Sequence, residues 1–113
     1  MQLPNCSAHQ IADRKITHYL LDPNSKDGRS KCSYFAGQGF SLAEWQLLRD
    51  AIMQHPMDHL VTGEPRRDKW GRRYEVRCSL RTPNGKNRCI RTIWQIDADD
   101  PRPKFITAYP ADT

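Results

Sequence analysis

At 113 residues, with 37% hydrophobic and 27% charged side chains, the chain can build one modest core, not two, and it lies outside the composition of disordered segments. A formal net charge of +5 and a sequence pI near 9.2 favour a polyanionic partner such as nucleic acid. The first residues, MQLPNCSAHQIADRK, lack the basic start and apolar run of a secretory signal, and no stretch could span a bilayer, so a soluble, cytoplasmic protein without a membrane partner is expected.

Residues 1–10 carry Pro4, Asn5 and Ser7 without periodicity and read as a flexible leader. From Ile11 to Leu21, Ile16, Tyr19 and Leu20 recur at helical spacing, which predicts a short helix ending before Asp22-Pro23, with Lys15 and His18 near its polar edge. The stretch DPNSKDGR is loop material. Ser30 to Phe40 predicts a second short helix that carries Lys31 and is ended by Gly37 and Gly39, with Tyr34, Phe35 and Phe40 in the core. Ser41 to Glu44 has the form of a capping box, and Trp45, Leu48 and Ile52 then share one helical face. This third helix is expected to run to about Gln54, with Pro56 preventing continuation. His55 then falls at its end, where the helix dipole favours a protonated imidazole.

His59 to Thr62 reads as a short strand, and Gly63 to Lys69, with Arg66, Arg67 and Lys69, as a basic loop. The segment from Tyr74 to Asp97 reads as a β-hairpin. Asn84-Gly85 alone suggests a two-residue I′ loop, but Pro83 fits better as the first central residue of a type I turn, followed by Asn84 and a left-handed Gly85. That turn sets Thr82 opposite Lys86, Leu80 opposite Arg88, Cys78 opposite Ile90, Val76 opposite Thr92 and Tyr74 opposite Trp94. One face becomes apolar, while the other gathers Arg73, Glu75, Arg77, Arg91 and Gln95, with Arg77 directly facing Arg91. The I′ alternative would exchange the faces and put Ile90, Trp94 and Ile96 among arginines. Two facing arginines repel unless something anionic lies between them, and either a phosphate or a diagonal Glu75 would serve. A polar connection, Asp97 to Pro103, leads to a last strand over Lys104 to Tyr109. The expected architecture is α+β, a single domain over residues 1–113, with N-terminal helices packed on one face of a C-terminal antiparallel four-stranded meander.

Four cysteines, Cys6, Cys32, Cys78 and Cys89, show neither a C-x-x-C spacing nor a zinc-finger cluster, so reduced structural thiols and no bound metal are expected.

The string KITHYLLDP, then GRSKCSYFAGQGF, RRYEVRCSLRTPNGKNRCIRTIWQID and FITAYP resembles the DUF6883 domain over about residues 15–110. The most specific marks are Lys15 with Tyr19, Gly28 with Lys31, Pro83 with Gly85, Arg91-Thr92 with Trp94, and Thr107 to Pro110. That family in turn resembles the barnase, EndoU, colicin E5/D and RelE superfamily of metal-independent ribonucleases, many of them toxins of toxin–antitoxin or polymorphic toxin systems. The resemblance implies an endoribonuclease toxin without cofactor, with RNA as substrate and a protein antitoxin or immunity protein as partner.

Metal-free RNA cleavage needs a base for the 2′-hydroxyl proton, a cation for the crowded phosphorane-like state and an acid for the leaving 5′-oxygen. Arg91 is the first candidate for the phosphate clamp, because its planar fork matches phosphate oxygens. Lys31 is a second cation, His55 or His18 the titrating group, and Thr107 and Tyr109 fit phosphate binding or base orientation. Arg77, Lys15, Arg73, Arg66 and Arg67 are the expected RNA-binding cations. Trp94 faces the core. A non-catalytic nucleic-acid- or protein-binding module on the same scaffold is the alternative function, and a structural or interaction domain of another kind a third.

Overall fold

The computed structural model describes residues 1–111. A short helix α1 (Asp13–Lys15) widens into a π-type turn over Ile16–Leu20 and is followed by α2 (Arg29–Gly37) and α3 (Trp45–Asp58). Four strands then follow, β1 (Arg66–Asp68), β2 (Gly71–Ser79), β3 (Cys89–Asp97) and β4 (Asp100–Pro110), which form an antiparallel sheet in sequence order. The expected α+β meander is therefore the fold.

The hairpin follows from its turn. Gly85 donates its N–H to the Thr82 carbonyl at 3.0 Å and is left-handed at φ 74°, so Pro83 and Asn84 occupy the central positions of a type I turn. The ladder beyond it pairs Cys78 with Ile90, Val76 with Thr92, Tyr74 with Trp94 and Arg77 with Arg91, in the register the turn chemistry implies. Nearer the tip Thr82 meets Asn87 rather than Lys86. Asn87 is left-handed at φ 48°, accepts the Thr82 N–H on its side chain at 2.9 Å and donates its own N–H to the Thr82 hydroxyl at 3.1 Å.

Alternation puts Tyr74, Val76, Ile90, Thr92, Trp94, Phe105 and Ala108 under the helices, where all are buried with Ile16, Leu20, Phe35, Leu48 and Ile52. Trp94, Tyr74 and Phe35 are the largest side chains sealed there, each contributing on the order of 3 kcal/mol of apolar burial. The opposite face of the sheet carries no helix and keeps the arginines.

Five local expectations give way. Residues 1–10 are not a frayed leader: Leu3, Cys6 and His9 are buried, and Gln10 pairs with β4 through bonds to Pro103 and Phe105. Helix α3 passes through Pro56 to Asp58, at the loss of the one i−4 bond that the Pro56 nitrogen cannot donate. Side-chain bonds hold the last turn instead: Gln54 donates to Asp58 at 2.9 Å, Arg81 donates to Asp58 at 3.1 Å, and His55 is fixed against β2 and β3. The basic loop is strand β1, since Asp68 Oδ1 accepts the N–H groups of Trp70 and Gly71 at 2.8 and 3.1 Å and turns the chain back into β2. Thr62 and Val61 continue that edge as a single bridge to Val76. The polar connection contracts to a tight turn at Ala98-Asp99, so β4 starts at Asp100. Finally, Cys78 and Cys89 form a disulfide between β2 and β3, leaving Cys6 and Cys32 free. The Cα atoms of Cys78 and Cys89 lie 4.2 Å apart on neighbouring rungs, where Cys78 pairs with Ile90 and Cys89 with Ser79, and no cysteine motif signals the bridge.

Candidate functional site

The site grows from a like-charge pair. Arg77 and Arg91 are ladder partners on the helix-free face, an arrangement that is repulsive by itself. Alternation brings Glu75 to the same face, and its two carboxylate oxygens lie 3.4 Å from Arg77 Nη2 and 3.5 Å from Arg91 Nε. Glu75 neutralises the pair without satisfying it: the Nε–H groups of both arginines are buried with no hydrogen-bond acceptor among the described residues. A buried donor left unbonded costs about 1–3 kcal/mol, more than so long an ion pair returns.

Arg91 also lies over the ring of Tyr109, 5.6 Å from its centroid, because Tyr109 is its partner on β4. At that distance the ring face attracts the guanidinium charge. Beside this group, a cavity of about 460 Å³ is lined by Arg66, Arg73, Glu75, Ile93, Thr107 and Tyr109 among others. Arg66 and Arg73 are partners across β1 and β2, and Arg73 donates to the Gln95 side chain at 3.3 Å.

A bulge in β4 connects this face to the helices. Ile93 pairs with Thr107 and Trp94 with Phe105, so Ile106 is the extra residue, and its carbonyl takes a hydrogen bond from Lys15 Nζ at 3.0 Å. Tyr19 Oη shares a hydrogen bond with Thr107 Oγ1 at 2.9 Å, while Lys15 and Lys31 stand over the Tyr19 ring at 5.6 and 5.5 Å. Gly28 makes that approach possible, because a Cβ there would collide with the Tyr19 carbonyl. A second cavity, about 700 Å³, is lined by Arg14, Lys15, His18, Tyr19, Asp27 and Thr107, and Ile106 and Thr107 border both.

The candidates thus fall into three places. Arg91, Arg77, Arg73, Arg66, Thr107 and Tyr109 share the open face, and Lys15 and Lys31 reach its β4 edge through Tyr19. Arg67 pairs with Arg72 and lines a separate cavity bordered by Asp97 and Asp100. His55 is on the far side of the sheet, buried among the helices at 1% exposure.

The bonding around His55 runs in one direction. Trp94 Nε1–H donates to Thr92 Oγ1 at 2.9 Å, the Thr92 hydroxyl donates to His55 Nδ1 at 2.9 Å, and His55 Nε2–H donates to the Cys78 carbonyl at 2.7 Å. This chain suits the neutral imidazole, and burial pushes its pKa down to about 4 despite the bond to Cys78. The helix-end dipole loses to desolvation, so the expected protonated imidazole is absent and His55 acts as a tie between α3 and the sheet.

Two residues gain importance only in three dimensions. Glu75 was legible as a diagonal partner, but its position between both guanidiniums and against a cavity needs the hairpin register and the sheet together. Tyr19 reads as a helix core residue, and nothing local signals that its hydroxyl meets Thr107, 88 positions later. Among the described residues no group of three or more His, Cys, Asp or Glu is arranged to hold a metal ion, and no helix is long and apolar enough to cross a membrane.

Comparison with known proteins places this geometry in a family. DUF6883, a domain of unknown function, matches residues 2–112, and the chain belongs to that family. No curated protein matches it. Among solved structures, a chain of the contact-dependent growth inhibition toxin–immunity protein complex from Klebsiella pneumoniae 342 superposes with a TM-score of 0.71 at 14% identity, over 96% of this chain and 97% of that one. The two share a fold.

Proposed function

We propose that this DUF6883 domain is a metal-independent endoribonuclease toxin. The observation that carries the reading is the pair of facing arginines bridged by the Glu75 carboxylate, which itself lines an open cavity with Arg66, Arg73, Thr107 and Tyr109. A phosphodiester in that cavity would meet Arg66 and Arg73 and lie beside the positive Arg77–Arg91 pair, with the Glu75 carboxylate placed to act as a base.

In the proposed reaction Glu75 takes the proton of an RNA 2′-hydroxyl, and the oxygen attacks the adjacent phosphorus. The new O2′–P bond forms as the P–O5′ bond breaks, giving a 2′,3′-cyclic phosphate and a 5′-hydroxyl. Arg91 and Arg77 hold the phosphoryl oxygens as negative charge builds on them, with Arg91 over the Tyr109 ring. Thr107 and Tyr109 orient the ribose, Lys31 and Lys15 add positive potential at the β4 edge, and a solvent water donates the proton to the leaving 5′-oxygen. Arg73 and Arg66 hold the neighbouring RNA backbone.

The shared fold with a chain of a toxin–immunity protein complex supports a toxin role and a proteinaceous inhibitor, for which an acidic surface covering the arginine face is the simplest form. A disulfide between Cys78 and Cys89 suits a chain that crosses an oxidising compartment before acting on RNA in a cytoplasm. The test is cleavage of bulk RNA in EDTA by wild type, Arg91→Ala and Lys31→Ala. Cleavage by wild type that falls in both variants supports the assignment, with the larger loss at Arg91, and no cleavage of any RNA by folded wild type rejects it.

A further inference from the structure

The β1–β2 turn presents an aromatic ring in a setting that the catalytic reading does not use. Trp70 is 67% exposed and is the one aromatic among the exposed large hydrophobic side chains of the described residues. Its turn is rigid: Asp68 Oδ1 accepts the N–H groups of Trp70 and Gly71, and the Trp70 carbonyl accepts the Ala98 N–H at 2.9 Å, which ties the tip to the β3–β4 turn. The bonds hold the backbone of the turn while the indole faces solvent.

The surrounding charge points to the ligand. Arg66, Arg67, Lys69, Arg72 and Arg73 flank Trp70 in the sequence; Asp68 is used by the turn, Arg67 and Arg72 share a cavity with Asp97, Asp99 and Asp100, and Lys69, Arg66 and Arg73 are the cations left on the side of the Glu75 cavity or at the ring. Among the described residues these five cations form no salt bridge within 4.0 Å. Lys69 Nζ lies 4.9 Å from the Trp70 ring centroid. Arg66 and Arg73 line the same cavity as Glu75 and Tyr109, so the basic strip runs from that cavity towards the exposed ring, roughly 16 Å along β2 at about 3.3 Å per residue.

We infer that Trp70 is a base-stacking platform for single-stranded RNA entering or leaving the cavity lined by Glu75, with Lys69, Arg66 and Arg73 tracking its phosphates. The inference rests on the nucleic-acid reading above and adds a binding subsite to it. An unpaired base offers a π-face to the indole, and the free cations match the phosphate repeat. A lipid surface fits less well, because every residue from Arg66 to Arg73 other than Trp70 is charged or glycine, which leaves no second apolar side chain to insert.

The test uses the whole protein and a fluorescent single-stranded 2′-O-methyl oligouridylate, which lacks the attacking hydroxyl and so reports binding alone. Trp70→Ala is expected to weaken binding about tenfold, Trp70→Phe to stay within about threefold of wild type, and both to keep the wild-type denaturation midpoint. Equal affinity for wild type and Trp70→Ala would overturn the inference, as would Trp70-dependent binding to phosphatidylserine vesicles with no affinity for the oligonucleotide. Cleavage of unmodified RNA by wild type is scored separately. Trp70-dependent binding without cleavage would sink the nuclease reading and leave the platform, while cleavage with binding indifferent to Trp70 would do the reverse.

Discussion

Arg77 and Arg91 stand at one rung of the β2–β3 ladder with the Glu75 carboxylate reaching both, so a single acidic group offsets two facing guanidiniums. Substituting Glu75→Gln keeps the shape and removes the charge. Its cost to stability is expected to stay within about 1 kcal/mol, because the ion pairs are long and partly exposed. RNA cleavage is expected to fall by roughly 10²–10⁴-fold, the usual worth of a positioned general base. A urea midpoint and a cleavage rate on the same preparation separate the two effects, and an unchanged rate would remove Glu75 from the chemistry.

Arg91 lies over the Tyr109 ring as well as beside Glu75, and the planar fork of a guanidinium is expected to matter along with its charge. Arg91→Ala is expected to lower cleavage by about 10²–10³-fold, the scale seen when one transition-state donor is removed. Arg91→Lys restores charge but not the fork, and should recover only a small part of that loss. Full recovery by lysine would reduce the role of Arg91 to a point charge.

The hairpin was readable because Pro83, Asn84 and Gly85 leave few turn geometries, and alternation then assigns both faces. The same rule placed Arg77 against Arg91 before any tertiary information. Strand β1 was not readable, since Arg66 to Asp68 is entirely charged and its pairing is created by the Asp68 side chain closing the turn at Trp70. The path through Pro56 was hidden for a related reason: the bonds that hold the last turn of α3 come from Arg81, Cys78 and Thr92, far away in the chain. Of the site, the arginine face was legible as a strand pattern. Its contact with Lys15, Lys31 and Tyr19 was not, because it depends on the β4 bulge and on the absence of a side chain at Gly28.

His55 makes stability depend on pH in a defined window. Its folded pKa is lowered from 6.5 to about 4, so between those values the unfolded chain binds more protons than the folded one. Stability is therefore unaffected by His55 above pH 6.5 and is lost as pH falls through the window, by an amount on the order of 3 kcal/mol when complete. Urea midpoints across this range should show the decline in wild type and a flatter profile in His55→Gln. Parallel profiles would mean that His55 is not the group responsible.

The Cys78–Cys89 disulfide closes the hairpin over a sequence separation of 11. Loop-closure entropy of that length gives about 3 kcal/mol. Reduction with dithiothreitol is expected to lower unfolding stability by about 2–3 kcal/mol, and Cys78→Ser should show the loss without reductant. An oxidised and a reduced protein with the same urea midpoint would show that the hydrogen bonds of the ladder suffice to close the hairpin.

The most direct measurement is the chemistry of the RNA ends that folded wild-type protein leaves in the presence of EDTA. The expected products carry 2′,3′-cyclic phosphates and 5′-hydroxyls, and a single 2′-deoxy substitution at the cleaved link abolishes the cut. Fragments ending in a 3′-hydroxyl, cleavage of the 2′-deoxy link, or RNA left intact would contradict a site in which Glu75 and the facing arginines drive attack by the ribose hydroxyl.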